Sequence, residues 1–121
     1  MTIHSIKPVY WIAGSKKDLL TLPTPVVDVF GYGLHLAQIG KKHEAAKPLQ
    51  GFGSASVLEI AHDWKGDTFR AVYTVEFAEA VFVLHVFQKK SKRGAETPKP
   101  DIELIKSRLK LAEKMAKGLT S

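Results

Sequence analysis

The chain contains no cysteine, which removes disulfides, thiolate nucleophiles and cysteine-ligated zinc or iron–sulfur centres from the chemistry it can perform. Long apolar runs are missing too. The stretch Val81 to Leu84, resuming past His85 to Phe87, falls far short of the roughly 20 residues a helix needs to span a bilayer. The opening Met-Thr-Ile-His-Ser-Ile-Lys lacks a basic segment followed by an apolar one, so no secretory leader is expected. Neither a glycine-rich phosphate loop with its lysine nor a Gly-x-Ser-x-Gly elbow is present, which argues against the common nucleotide hydrolases and serine esterases. His4, His35, His43 and His62 show no metal-ligand spacing, so neither a metal nor any other cofactor is expected.

Acidic residues are comparatively scarce: twelve Asp and Glu stand against eighteen Lys and Arg, a formal charge of +6. A basic balance favours a polyanionic partner, nucleic acid first, although a merely soluble basic surface has the same count. With 121 residues, 45% of them hydrophobic and 25% charged, the chain suits one globular domain spanning 1–121. The absence of cysteine is compatible with a cytoplasmic location.

Ile6 to Ile12 is rich in β-branched and aromatic residues and stops at Gly14-Ser15, which predicts a first strand. Ser15-Lys16-Lys17-Asp18 resembles a capping box opening a short helix through Leu20. After the break at Pro23, Thr24 and Pro25 suit the cap and first position of a second helix, with Val26, Phe30, Leu34 and Ala37 along one face and Gly40 closing it. Gly31 and Gly33 inside that helix mark a close backbone approach, expected within a tight helical hairpin. Residues 41–56 read as a basic loop. Val57 to His62, Thr68 to Phe77 and Ala80 to Gln88 then follow a period of two, which predicts an antiparallel meander. Asp101 suits the cap of a last helix whose stripe is Ile102, Ile105, Leu109 and Ala112, with Lys106, Arg108, Lys110 and Lys114 outside it. That stripe is expected to pack on the domain's own sheet. The fold class is therefore α+β, an antiparallel sheet with helices on one face.

Alternation assigns Leu58, Ile60, Phe69, Ala71, Tyr73, Val75, Phe82, Leu84 and Val86 to the core face. Glu59, Arg70, Val72, Thr74, Val83, His85, Phe87 and Lys89 fall on the other. Metal-free RNA cleavage needs the 2'-hydroxyl deprotonated, the phosphorane charge stabilised and the leaving 5'-oxygen protonated. His85 suits the acid–base role and Arg70 the phosphate clamp, because a guanidinium forks onto phosphate oxygens. The commoner role of a histidine in such a pattern is structural, a half-buried ring bonded to a neighbour. Phe87 stands beside the cations Lys89, Lys90, Lys92 and Arg93, a combination that can stack a base and hold its phosphates, or simply form a solvated charge run. Glu59 and Arg70 also read as a cross-strand ion pair.

The order strand, helical hairpin, basic loop and meander resembles the RelE/ParE toxin superfamily, with wording closest to its phage-derived HigB-like branch. The matching segments run from Trp11-Ile12 and Ser15-Lys16-Lys17-Asp18-Leu19 through Gly31-Tyr32-Gly33-Leu34, Lys47-Pro48-Leu49, Leu58-Glu59-Ile60 and Phe69-Arg70-Ala71-Val72-Tyr73 to Leu84-His85-Val86-Phe87-Gln88-Lys89-Lys90 and Thr97-Pro98-Lys99. The resemblance implies a RelE-like fold with an N-terminal helical hairpin on one sheet face and a C-terminal helix. It also implies a ribosome-dependent messenger RNA endonuclease, neutralised by a helix-turn-helix antitoxin encoded beside it. The same resemblance implies phosphate stabilisation and RNA placement for Arg70, Phe87, Lys89 and Lys90; with the residue reading above, the expected catalytic residues are Arg70, His85 and Lys89, and the expected RNA contacts Lys47, Glu59, Phe87, Lys90, Lys92 and Arg93. Ala61 and His62 depart from the arginine that many relatives carry after the Leu-Glu pair. A ParE-like gyrase poison and a non-catalytic nucleic-acid binder are the rival functions, since function lives in the site and not in the fold.

Overall fold

A computed structural model describes residues 6–53, 56–89 and 97–120. The chain runs β1 (Val9–Trp11), α1 (Ser15–Leu20), α2 (Thr24–Gln38), β2 (Ala46–Pro48), β3 (Val57–Trp64), β4 (Asp67–Thr74), β5 (Val81–Lys89) and α3 (Lys99–Thr120). The strands form one sheet in the order β1-β5-β4-β3-β2. The expected α+β, RelE-like architecture is present, and the meander β3-β4-β5 is antiparallel throughout. Lys65 and Gly66 join β3 to β4 at φ 50° and 85°. Two successive left-handed residues give the turn whose twist matches flanking antiparallel strands.

Four local expectations are corrected. The first strand shrinks to three residues and lies parallel to β5, so the sheet is not wholly antiparallel. The basic loop contains β2, an edge strand paired antiparallel to β3, where Pro48 is tolerated because the outer edge needs no donor. Ser15 is not a cap: it lies inside α1, and its hydroxyl donates to the Val83 carbonyl, tying the helix to β5. Thr24 likewise lies within α2, capped by Pro23 and with Pro25 in the first turn.

Gly33 does mark a close approach, but to the sheet and not to α1: a Cβ there would overlap Ile60 Cδ1, whereas one at Gly31 would meet nothing. Gly31→Ala is therefore expected to stabilise the protein by about 0.5–1 kcal/mol through helix propensity alone. Gly33→Ala should instead destabilise it by roughly 1–3 kcal/mol through overpacking. Denaturant midpoints of the two variants shifting in the same direction would contradict this packing.

The apolar face of α2 covers one side of the sheet through Val26, Phe30, Leu34 and Ala37, against Leu58, Ile60, Ala71, Tyr73 and Val83. The other side is not open. α3 lies across it, burying Ile105, Ala112 and Ala116 against Val57, Val72, Phe82 and Leu84. The last helix thus packs its stripe on the domain's own sheet, as expected, and by doing so covers the face on which the polar groups stand. A register shift separates the pairs Val72↔His85 and Tyr73↔Val83, so Leu84 is an extra residue in β5. Such a bulge reverses the parity of the strand. Val83 therefore belongs to the α2 face, and Phe82 and Leu84 to the α3 face, opposite to their expected places. Tyr73 is fully buried and its hydroxyl has no hydrogen-bond partner among the described residues. Burial pushes that phenol up to about 12. Tyr73→Phe is expected to raise stability by roughly 1 kcal/mol, because an unsatisfied buried polar group is removed; a fall in melting temperature would oppose it.

Candidate functional site

Three successive rungs of the meander assemble the polar groups beneath α3. Glu59 lies opposite Val72, and Val72 opposite His85; Ala61 lies opposite Arg70, and Arg70 opposite Phe87; Thr68 lies opposite Lys89. His85 and Phe87 share a face with Arg70 by plain alternation, since the bulge at Leu84 lies before both of them in β5. His62 pairs with Phe69 and sits on the other face, so it does not supply the missing arginine.

Arg70 is not an open phosphate clamp. Its Nη1 donates to both Glu59 oxygens at 3.1 and 3.2 Å and to the Thr97 hydroxyl at 2.9 Å. Thr97 in turn donates to Glu59 Oε2 at 2.5 Å. The pair is diagonal across β3 and β4, and its side chains are only 5% and 4% exposed. His85 is equally enclosed. Its Nε2 lies 2.8 Å from Asp101 Oδ1, and the Arg108 guanidinium stands 3.4 Å from its Nδ1 while donating to the Leu84 carbonyl at 2.9 Å. The imidazole stacks on Phe87 with centroids 4.4 Å apart.

Lys89 is buried at the end of β5, Phe87 is half-buried, and Lys47 is exposed on β2 directly opposite Glu59. Lys90, Lys92 and Arg93 lie outside the described residues. Thr97, Asp101 and Arg108 were not expected as site residues, and Asp101, expected to cap the last helix, instead lies within the first turn of α3, which starts at Lys99, with its carboxylate bonded to His85. A signal existed: Asp101, Ile105, Arg108 and Ala112 follow one another at spacings of four, three and four, which places two opposite charges on the buried face of α3. Arg108 was expected outside the stripe and is instead half-buried against β5.

A family model described as Phage derived protein Gp49-like (DUF891) matches residues 17–110. The chain belongs to this family. It is a family of the RelE-like, toxin-like kind, and the matched span runs from α1 into α3, enclosing Glu59, Arg70, His85, Thr97, Asp101 and Arg108. No curated protein matches the chain.

In this Gp49-like protein His85 is held below its ordinary 6.5, because burial disfavours the imidazolium. The hydrogen bond and charge of Asp101 act in the opposite direction, as does Asp18, while Arg108 lowers it further. Burial prevails, so the neutral ring is the native form. Donors and acceptors then fix the tautomer: Nε2 carries the proton toward the carboxylate, and Nδ1 presents a lone pair toward Arg108. An oriented neutral imidazole beside guanidinium groups has the parts of a general base with adjacent charge stabilisation. Among the described residues no group of three His, Asp or Glu side chains is placed to hold a metal ion. No helix among them is long and apolar enough to cross a membrane.

Proposed function

We propose that this Gp49-like protein is the toxin of a type II toxin–antitoxin pair, a metal-independent endonuclease that cuts messenger RNA on the ribosome by attack of the 2'-hydroxyl. The cytoplasm is its site of action, and a helix-turn-helix antitoxin encoded beside it is its partner. The observation that carries the reading is the geometry of His85, hydrogen-bonded to Asp101 and approached by Arg108 of α3, on the sheet face that also bears Arg70 and Lys89.

In this mechanism Nδ1 of His85 takes the proton of the 2'-hydroxyl, and the freed oxygen attacks the adjacent phosphorus. Arg108 and Arg70 stabilise the phosphorane charge. The departing 5'-oxygen takes a proton from Lys89, and the products are a 2',3'-cyclic phosphate and a 5'-hydroxyl end. RNA must displace Arg108 from Nδ1 and the Thr97 hydroxyl from Arg70 to reach these groups. Phe87 and the basic residues Lys47, Lys90, Lys92 and Arg93 hold the strand.

The enclosure of Arg70 and His85 favours a second reading, a toxin that binds its target and cuts nothing, as a gyrase poison does. One experiment separates the two. Induced expression should arrest growth and leave translated messages cut within codons and bearing cyclic phosphate ends, with DNA supercoiling intact. Growth arrest with intact messages and gyrase-dependent DNA breaks would overturn the endonuclease.

A further inference from the structure

α3 carries a second apolar row besides the one it buries. Leu104, Leu111, Met115 and Leu119 follow one another at spacings of seven, four and four, which aligns them along one line of the helix. All four are 36–47% exposed. The buried residues Ile105, Ala112 and Ala116 are each the chain neighbour of a member of this row, so the two rows lie about 100° apart around the axis. The outer row therefore runs along a flank of α3 and not on its sheet-facing side. Apolar residues scattered singly over a surface are ordinary, but four in line make a row on which another element can dock.

Arg108 belongs to the same line, four residues after Leu104 and three before Leu111. Its guanidinium donates to the Leu84 carbonyl and stands 3.4 Å from His85 Nδ1, while Asp101, earlier in the helix, holds His85 Nε2. The part of α3 that closes over His85 is thus the part that carries the start of the exposed row. An element covering that row also covers the stem of Arg108 and restrains the helix from lifting.

The surroundings select the occupant. Lys110 and Lys114 border the row on its solvent side, and over the exposed face of α3 Lys106, Lys110, Lys114 and Lys117 outnumber Glu103 and Glu113. Two copies of this chain would bring like charges together, which opposes self-pairing. A helix that lies in a membrane surface commonly sets Trp or Phe in its apolar face, and this row has no aromatic member. A helix whose apolar a and d positions are edged by Asp or Glu satisfies both features. Its apolar side chains interdigitate with a row of this spacing, and its carboxylates meet the lysines.

We infer that an acidic-edged amphipathic helix of a partner protein docks along Leu104, Leu111, Met115 and Leu119, and silences the site from outside by holding Arg108 and Asp101 down on His85. That this helix belongs to the antitoxin rests on the toxin reading above. The surface itself is testable without the antitoxin.

A synthetic three-heptad helical peptide with leucine at a and d and glutamate at e and g, together with a twin carrying lysine in place of glutamate, provides the test against the full-length protein. Calorimetry should show the glutamate peptide binding roughly tenfold or more tightly than its twin. Lys110→Glu with Lys114→Glu should reverse that preference. Leu111→Gln with Met115→Gln, at exposed positions where glutamine keeps the helix, should abolish binding with the fold retained. In the complex, amide hydrogen exchange over residues 101–108 should slow. Faster exchange there would show that the partner displaces α3, and would overturn the clamp. Equal binding of the two peptides, or binding that survives the double glutamine change, would overturn the docking row. Self-association, or binding to phosphatidylglycerol vesicles, that disappears in the same variant would assign the row to a second copy or to a membrane instead. Programmed ribosomes keep the two ideas apart. Protein that binds the glutamate peptide but cuts no message overturns the endonuclease and leaves the docking row standing, whereas protein that cuts messages and ignores the peptide overturns the docking row alone.

Discussion

Arg70→Ala should lower the unfolding free energy by about 3–5 kcal/mol, because it leaves the Glu59 carboxylate buried and uncompensated. A sequence pattern that places Arg70 on an open polar face predicts little change in stability. The structure reverses that expectation, since both side chains of the pair are about 95% covered and Thr97 closes the remaining contact. Loss of toxicity in Arg70→Ala alone would therefore say nothing about catalysis. Replacing the whole pair, Glu59→Leu with Arg70→Met, should recover most of the lost stability, as apolar isosteres often substitute for buried ion pairs. If Arg70 stabilises the phosphorane, this folded double variant should still cut RNA about 10²- to 10³-fold more slowly, the cost usual for losing one preorganised donor. Chemical denaturation and single-turnover cleavage read the two effects separately. A double variant with native stability and native rate would remove Arg70 from the reaction.

His85→Gln should slow cleavage by roughly 10²- to 10⁴-fold while leaving RNA affinity nearly unchanged, the signature of a lost general base. The pH dependence carries the same assignment. His85 is held below 6.5 in the folded protein by burial, so the ring is unprotonated and competent at neutral pH. The rate should be level above pH 6.5 and fall as pH drops through the lowered value. Stability follows the same direction: the unfolded chain takes up the proton first, so the contribution of the neutral buried ring is present above 6.5 and is lost as pH falls below it. A structural histidine would give the stability change alone. Loss of the acid-side fall in rate when Asp101 is changed to asparagine, with the fold retained, would conflict with the base assignment. The Asp101 charge and hydrogen bond raise the His85 value, so their removal should shift the fall to lower pH without abolishing it.

Much of the fold was legible because its signals are local. Pro25 and the spacing of Val26, Phe30, Leu34 and Ala37 define α2, and the turn at Lys65-Gly66 joins two alternating strands. The bulge at Leu84 was not legible. Val81 to Leu84 are all apolar, so an inserted residue leaves no break in the pattern, yet it exchanges the faces of Val83 and of Phe82 and Leu84. β2 was hidden because an edge strand of three residues containing proline carries almost no alternation. The candidate site was half legible. Glu59, Arg70, His85, Phe87 and Lys89 follow from strand parity once the correct side of the bulge is chosen. Their partners Thr97, Asp101 and Arg108 come from a distant helix and its lead-in, whose placement over the polar face depends on tertiary packing of Ile105 and Ala112.

A synthetic message carrying a single 2'-deoxy substitution at the mapped scissile nucleotide, presented on ribosomes with the purified protein, tests the proposed chemistry most directly. Because the 2'-oxygen is the attacking atom, cleavage at that position should disappear, while cleavage at unmodified sites in the same message continues and leaves 2',3'-cyclic phosphate ends. Cutting at the substituted position at an unchanged rate would show that water or another nucleophile is used, and His85 would then have no 2'-hydroxyl to activate.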